Sequence, residues 1–232
     1  MKATLSRRVI AEFVGTLFLL AAVVGSGIMG ERLAAGNVAI ALLANTLATG
    51  AALIAIILAL GPVSGAHLNP VVTLADAWMG GIAWRETPLY ILAQLTGAVA
   101  GVVSAHLMFG LSLLSVSTHV RSGSAQFFSE FVATFGLLAV IWGCVRSRPA
   151  TVPFAVGAYI TAAYWFTAST SFANPAVTLA RCLTNTFAGI RPQDVAPFIA
   201  AQLAGAFAAT LLFKWFVPSL ETAAREILVK HE

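Results

Sequence analysis

One segment recurs in the two halves of this chain and limits what it can fold into. Leu68–Trp78 reads LNPVVTLADAW and Ser171–Arg181 reads SFANPAVTLAR. In each, an asparagine stands directly before a proline, and a short apolar run follows. Proline suits the first turn of a helix, because the N–H it lacks would be unpaired there anyway. Asparagine just ahead is a strong N-cap, its carbonyl oxygen accepting from the first free backbone N–H groups. Its amide donors then remain for other partners. An isolated Asn-Pro marks an ordinary turn. Here both copies lie between hydrophobic runs too long for a soluble core. Two proline-started half-helices in such a setting point to a passage built from inverted repeats.

Composition supports a membrane setting. The 232 residues are 59% hydrophobic and 9% charged, with a mean hydropathy of +0.90, against about 25% charged in soluble domains. Despite a net charge of +4, there is no basic patch with interleaved aromatics, so nucleic acid is not an expected partner. Cys144 and Cys182 lie in separate segments and suggest neither a disulfide framework nor a zinc site; each reads as a small buried hydrophobe. The first apolar run is long enough to span and lacks a clear cleavage site, so no cleavable signal peptide is expected.

A span needs about 20 apolar residues, and six stretches qualify, at roughly 9–30, 37–60, 88–110, 127–146, 150–168 and 195–217. Two shorter segments, about 70–80 and 175–185, read as re-entrant half-helices. The halves align: IAEFVGTLFLL (10–20) with FSEFVATFGLL (128–138), and YILAQLTGAVAG (90–101) with FIAAQLAGAFAA (198–209). The expected organisation is one transmembrane domain over 1–232. Repeat one covers about 1–110, a connecting loop about 111–126, repeat two about 127–217 and a cytoplasmic tail about 218–232. Three spans per half is odd, so the second half enters from the opposite face. With the N-terminus inside, Lys2, Arg7, Arg8, Arg85, Arg146, Arg148, Lys214, Arg225 and Lys230 are cytoplasmic. Arg32, Arg121, Arg181 and Arg191 are then outside. That asymmetry places both termini in the cytoplasm. Small residues such as Gly97, Gly101 and Gly205 suit close helix crossings. The five tryptophans mostly sit near expected span ends, as an interfacial belt requires.

Opposed half-helices bring two positive dipole ends to the midplane. Asn69 and Asn174 would offer amide donors there, and unwound backbone around Gly65–Leu68 and Ser171–Ala173 a ladder of carbonyl acceptors. Such a passage suits a neutral molecule that donates and accepts hydrogen bonds, and repels cations. No nucleotide loop, metal cluster or nucleophile–base pair is seen, so conduction rather than catalysis is expected, with no cofactor and no metal.

With these motifs the chain resembles the aquaporin family, the major intrinsic proteins. The resemblance covers nearly the whole chain. It implies an all-α membrane protein: an aquaporin-like bundle of six transmembrane helices plus two re-entrant half-helices in inverted 3+3 repeats, one pore per subunit and a homotetramer in membrane lipid. The first motif, Asn69-Pro70-Val71, departs from Asn-Pro-Ala; the second, Asn174-Pro175-Ala176, keeps it. The family's filter arginine directly follows the second motif, where this chain has Val177. By the family's spacing, the other filter positions fall at Thr49, Ala162 and Ser171. This small, weakly polar set implies a wide constriction. It is similar to the aquaglyceroporin-like channels associated with bacterial arsenic resistance, and a bacterial inner-membrane location follows from that resemblance. Expected solutes are water, glycerol-like polyols and arsenite or other trihydroxy-metalloids.

Glu12 and Glu130 occupy equivalent places inside spans. They read as buried structural acids accepting loop N–H groups; the alternative is a proton-coupled secondary transporter that uses them as a relay. His67 either lines the inner vestibule or ties its loop together. Asp76 is expected to pair with a neighbouring loop. Arg181 lies four residues beyond Val177, on the same helix face and about 6 Å further along. It either supplies charge to the outer vestibule or anchors a loop or subunit contact.

Overall fold

The computed structural model describes residues 3–217. The first two residues and the expected tail from 218 onward lie outside the described residues. Within them the chain forms eight α-helices and no strand: α1 (Leu5–Leu33), α2 (Val38–Ser64), α3 (Pro70–Trp78), α4 (Thr87–Phe109), α5 (Ser124–Ser147), α6 (Val152–Phe166), α7 (Pro175–Arg181) and α8 (Pro192–Phe216).

Local chemistry sets the boundaries. Asn37 caps α2, its side chain accepting from Ala39 and Ile40. Gly65 and Gly110 close α2 and α4 in the left-handed conformation, at φ 87° and 66°, which glycine adopts without steric cost. Proline occupies the first turn of α3, α4, α6, α7 and α8.

Five helices (α1, α2, α4, α5 and α8) are long and apolar enough to cross a membrane. The remaining expected span, 150–168, holds a helix shorter than its apolar stretch. α6 has 15 residues, about 22 Å at the helical rise. The 3-10 turn Pro149–Thr151 precedes it, and Thr167 ends it in extended backbone. The second half-helix is also shorter than expected. It stops at Arg181 because the following residues pair with the connecting loop, where Ser115 and Ser117 donate to the carbonyls of Leu183 and Cys182 at 3.0 and 2.9 Å.

α1 packs on α4, and α5 on α8, in equivalent fashion. A Cβ on Gly97 would collide with the Phe13 carbonyl, and one on Gly205 with the Phe131 carbonyl. The backbones therefore meet directly, as small residues allow between membrane helices. α2 crosses α6 where Gly50 and Gly157 face each other, which joins the halves. Large apolar side chains such as Phe18, Leu47, Phe128 and Phe207 remain exposed on the outside. Trp84, Trp165 and Trp215 share that exposure, but Trp142 does not belong to an interfacial belt. It is buried, and its indole donates to Thr210 Oγ1 at 3.2 Å.

The half-helices enter from opposite ends. Beyond α3 the chain returns to the start of α1, where Arg8 makes a two-pronged ion pair with Glu86 at 2.9 and 3.1 Å. Beyond α7 it meets the 111–123 loop, where Arg121 donates to the Gly189 carbonyl and its own N–H to Asp194, both at 2.8 Å.

Candidate functional site

The N-termini of α3 and α7 meet inside the bundle, and each asparagine there bonds in two directions. Asn69 Oδ1 accepts from Val71 N at 3.1 Å, and Asn174 Oδ1 from Ala176 and Val177 N at 2.9 and 3.3 Å. Each caps its own helix. Asn69 Nδ2 donates to the Ala173 carbonyl and Asn174 Nδ2 to the Leu68 carbonyl, both at 2.8 Å. An amide has two N–H donors. One of each pair is thus committed across the repeat, where the sequence suggested both were uncommitted, and the other is left for the passage that both residues line.

The backbone ahead of each asparagine is held open. Gly65, Ala66 and Leu68 have φ of 87°, 47° and 53°, matched in the other half by Thr170, Ser171 and Ala173 at 60°, 51° and 48°. Left-handed backbone is unfavourable for residues with a Cβ, so something must hold it. The two buried carboxylates do so. Glu12 accepts from His67 N (2.9 Å), Leu68 N (2.7 Å), Ser64 Oγ (2.7 Å) and Gln94 Nε2 (2.8 Å). Glu130 accepts from Phe172 N and Ala173 N, both at 2.8 Å, and Gln202 Nε2 at 2.6 Å. Gln94 and Gln202 also donate to Thr73 and Thr178 at 2.8 Å, tying each loop to its half-helix.

The passage has an empty volume of about 790 Å³, its open mouths included. Leu53 and Ile57 on α2 and Leu137 and Ile141 on α5 give it apolar walls. Polar groups enter from the loops and half-helices. Thr49, Ser171 and Val177 all line it, and Ser171 Oγ is buried without a hydrogen-bond partner. Ala162 does not line it and is exposed on the outside of α6. The lining residues of α6 are Val152, Val156, Ile160 and Tyr164; Tyr164 lies two residues beyond Ala162, enough to turn a helical side chain to the other side. Tyr164 donates to Thr49 Oγ1 at 3.3 Å, bringing an aromatic ring beside Thr49 in the wall.

Arg181 is fully buried and lines the same passage. Its Nε donates to the Ala188 carbonyl, and its guanidinium carbon lies 3.5 Å from the Phe172 ring centroid. The loop contact expected as one alternative is therefore present, made by a side chain that also lines the passage. The Arg121 guanidinium carbon lies 5.0 Å from the same ring centroid. Sequence reasoning did not single out Phe172, although the repeat alignment sets it opposite His67. It also drew nothing from His106, which is buried and bonds Ser112 O and Thr184 Oγ1, both at 2.7 Å, clamping the connecting loop. His67 lines the passage and also ties its loop to α3, Nδ1 lying 3.2 Å from Thr73 Oγ1. Asp76 faces His67 Nε2 at 3.5 Å.

The profile of the family described as Major intrinsic protein matches residues 1–167 and, in a second, overlapping match, 147–231. The chain is 53% identical over 222 residues to the aquaglyceroporin AqpS of Rhizobium meliloti, covering 96% of this chain and 95% of that one. It is 34% identical over 220 residues to aquaporin NIP1-4 of Oryza sativa, covering 91% and 79%. The crystal structure of the aquaglyceroporin from Plasmodium falciparum has the same fold, with a TM-score of 0.72 at 21% identity, over 94% of this chain and all of that one.

Proposed function

The chain belongs to the major intrinsic protein family, and we propose that this channel for small neutral solutes passes glycerol-sized polyols and trihydroxy-metalloids such as arsenite as well as water. The observation that carries the solute range is Val177. It lines the passage one residue beyond the second Asn-Pro-Ala, and the buried guanidinium stands a helical turn further along, at Arg181. An arginine at 177 would place a fork of donors and a long stem in the gap. Valine leaves an apolar wall for the carbon face of a polyol, with Thr49, Ser171 and the asparagine amides for its hydroxyls. The relative named an aquaglyceroporin is consistent with that breadth. Arsenite at neutral pH is chiefly a neutral trihydroxide, with the size and hydrogen bonding of a small polyol.

The same reading takes the constriction to be formed by Thr49, Tyr164, Ser171 and Val177, with Arg181 in the outer vestibule. The chain sits in an inner membrane with both termini cytoplasmic, as the lysine and arginine asymmetry implies, and assembles as a homotetramer. Saturation of Glu12 and Glu130 by loop donors favours a structural role for them over a proton relay.

Stopped-flow measurements on proteoliposomes test this with water, glycerol and arsenite. Wild type should pass all three along a concentration gradient without a pH gradient. Val177→Arg should strongly reduce glycerol and arsenite while keeping some water flow. Unchanged flux of the larger solutes in Val177→Arg would remove position 177 from the constriction. Flux that requires a pH gradient would favour the transporter.

A further inference from the structure

The two half-helices match position by position, and the match isolates one difference. Phe172 stands two residues before Asn174 and Arg181 seven beyond it; His67 and Asp76 hold the same places about Asn69. At one end an aromatic ring meets a guanidinium. At the other an imidazole meets a carboxylate, His67 Nε2 lying 3.5 Å from Asp76 Oδ2. Asp76 is in the last turn of α3, where the helix dipole disfavours a negative charge. It is completely buried, and neither of its oxygens nor His67 Nε2 has a hydrogen-bond partner. The backbone at Gly81 packs so closely on the carboxylate that a Cβ there would collide with it.

Hydrogen bonding determines which ring nitrogen carries hydrogen. The Thr73 hydroxyl donates to the Asn69 carbonyl at 3.1 Å. Thr178, which has a phenylalanine in place of the imidazole, makes the same bond to Asn174 at 2.8 Å. Gln94 donates to the Thr73 oxygen, and His67 Nδ1 lies 3.2 Å from it; with the hydroxyl hydrogen directed at Asn69, Nδ1 must be the donor of that contact. Nε2 then holds either a lone pair or a proton. A lone pair opposite an ionised carboxylate would oppose two buried acceptors, each without a partner, which is costly. One proton between Nε2 and Asp76 removes that conflict, whichever atom carries it.

We infer that His67 and Asp76 form a proton-binding site in the wall of the passage, neutral with one proton between them, and that a second proton, taken from vestibule water, slows solute passage. This rests on the channel reading above. The second proton leaves an imidazolium without its counterion, on a wall that two helix N-termini already make positive. The other ionisable groups around the ring are engaged. Glu12 on α1 accepts the His67 backbone N–H among its bonds. Arg8, also on α1, pairs with Glu86. Tyr90 on α4, with its ring centroid 5.5 Å from that of the imidazole, donates to the Ser64 carbonyl at the end of α2. Arg181 on α7 belongs to the opposite end of the passage.

The test is glycerol flux in proteoliposomes with equal pH on both sides, stepped from about pH 8 to about pH 5, the range of histidine titration. Wild-type flux should fall by about threefold or more toward acid as the wall gains charge. Asp76→Asn and His67→Phe, the latter placing here the residue the other repeat uses, should flatten the profile. A flat wild type, or Asp76→Asn with the wild-type profile, overturns the proposal. Nitrogen-15 spectra of histidine-labelled protein, with the His67 signal assigned by its loss in His67→Phe, give a second readout. Its titration should move in Asp76→Asn while the other histidines stay put. An unmoved titration overturns the site even without flux, whereas a moved titration with no flux at any pH overturns the channel reading instead.

Discussion

The guanidinium of Arg181 lies over the ring of Phe172, its Cζ 3.5 Å from the ring centroid, with both residues buried in the wall of the passage. The contact ties the last residue of α7 to the loop that precedes that helix. A planar, delocalised cation stacks on an aromatic face where an ammonium cannot, and a desolvated contact of this kind contributes about 2 kcal/mol. Arg181→Lys is therefore expected to keep the charge and lose most of that contribution, seen as a lower midpoint of thermal unfolding in detergent. An unchanged midpoint would leave the stack without energetic weight.

Glu12→Gln and Glu130→Gln put an amide where a carboxylate accepts two backbone N–H groups. One face of the amide must then oppose a donor. Bonds to a charged acceptor contribute about 1.5–3 kcal/mol each, so both variants should lose folded yield, measured as the monodisperse fraction on size-exclusion chromatography. Glu12→Gln should lose more, because Glu12 also accepts from Ser64. Equal yields with altered pH coupling of solute movement would point to a relay.

Asn174→Ala removes the cap of α7 and the bond to the Leu68 carbonyl together. Loss of a cap costs about 1–2 kcal/mol, and a buried carbonyl without its donor adds about 1–3 kcal/mol. Lower thermal stability and reduced water flux per folded protein are expected. A variant of native stability would show that the cross-bond is replaced, for instance by water.

Gly97→Ala and Gly205→Ala test the helix crossings that hold each half together. In each, the new methyl meets a carbonyl of the facing helix, Phe13 or Phe131. Backbone cannot yield as a flexible side chain would, and overpacking costs about 1–3 kcal/mol. Both should unfold at lower detergent or denaturant concentration than wild type, and Gly61→Ala, inside α2 with nothing within 4 Å, should not lower stability by the same measurement.

The half-helices, the repeat and the long apolar spans were legible in the amino-acid sequence because each depends on local chemistry. Proline after a capping asparagine starts a helix whatever surrounds it, and apolar length is a property of the stretch itself. The loop-supporting role of Glu12 and Glu130 followed from their equivalent places in the repeat. Only the tertiary structure could decide which side chains of α6 face inward. Ala162 and Tyr164 are two residues apart, and a helix turns about 100° per residue, so a small slip in loop length exchanges one for the other. Val177 and Ser171, tied to Asn174 by three residues on either side, had no such freedom. For Arg181 and Asp76 the sequence offered a loop contact, but that the partners are Phe172 and His67 was likewise closed to it. Each joins the far end of a half-helix to the loop before it, a distance set by how tightly the left-handed backbone folds back.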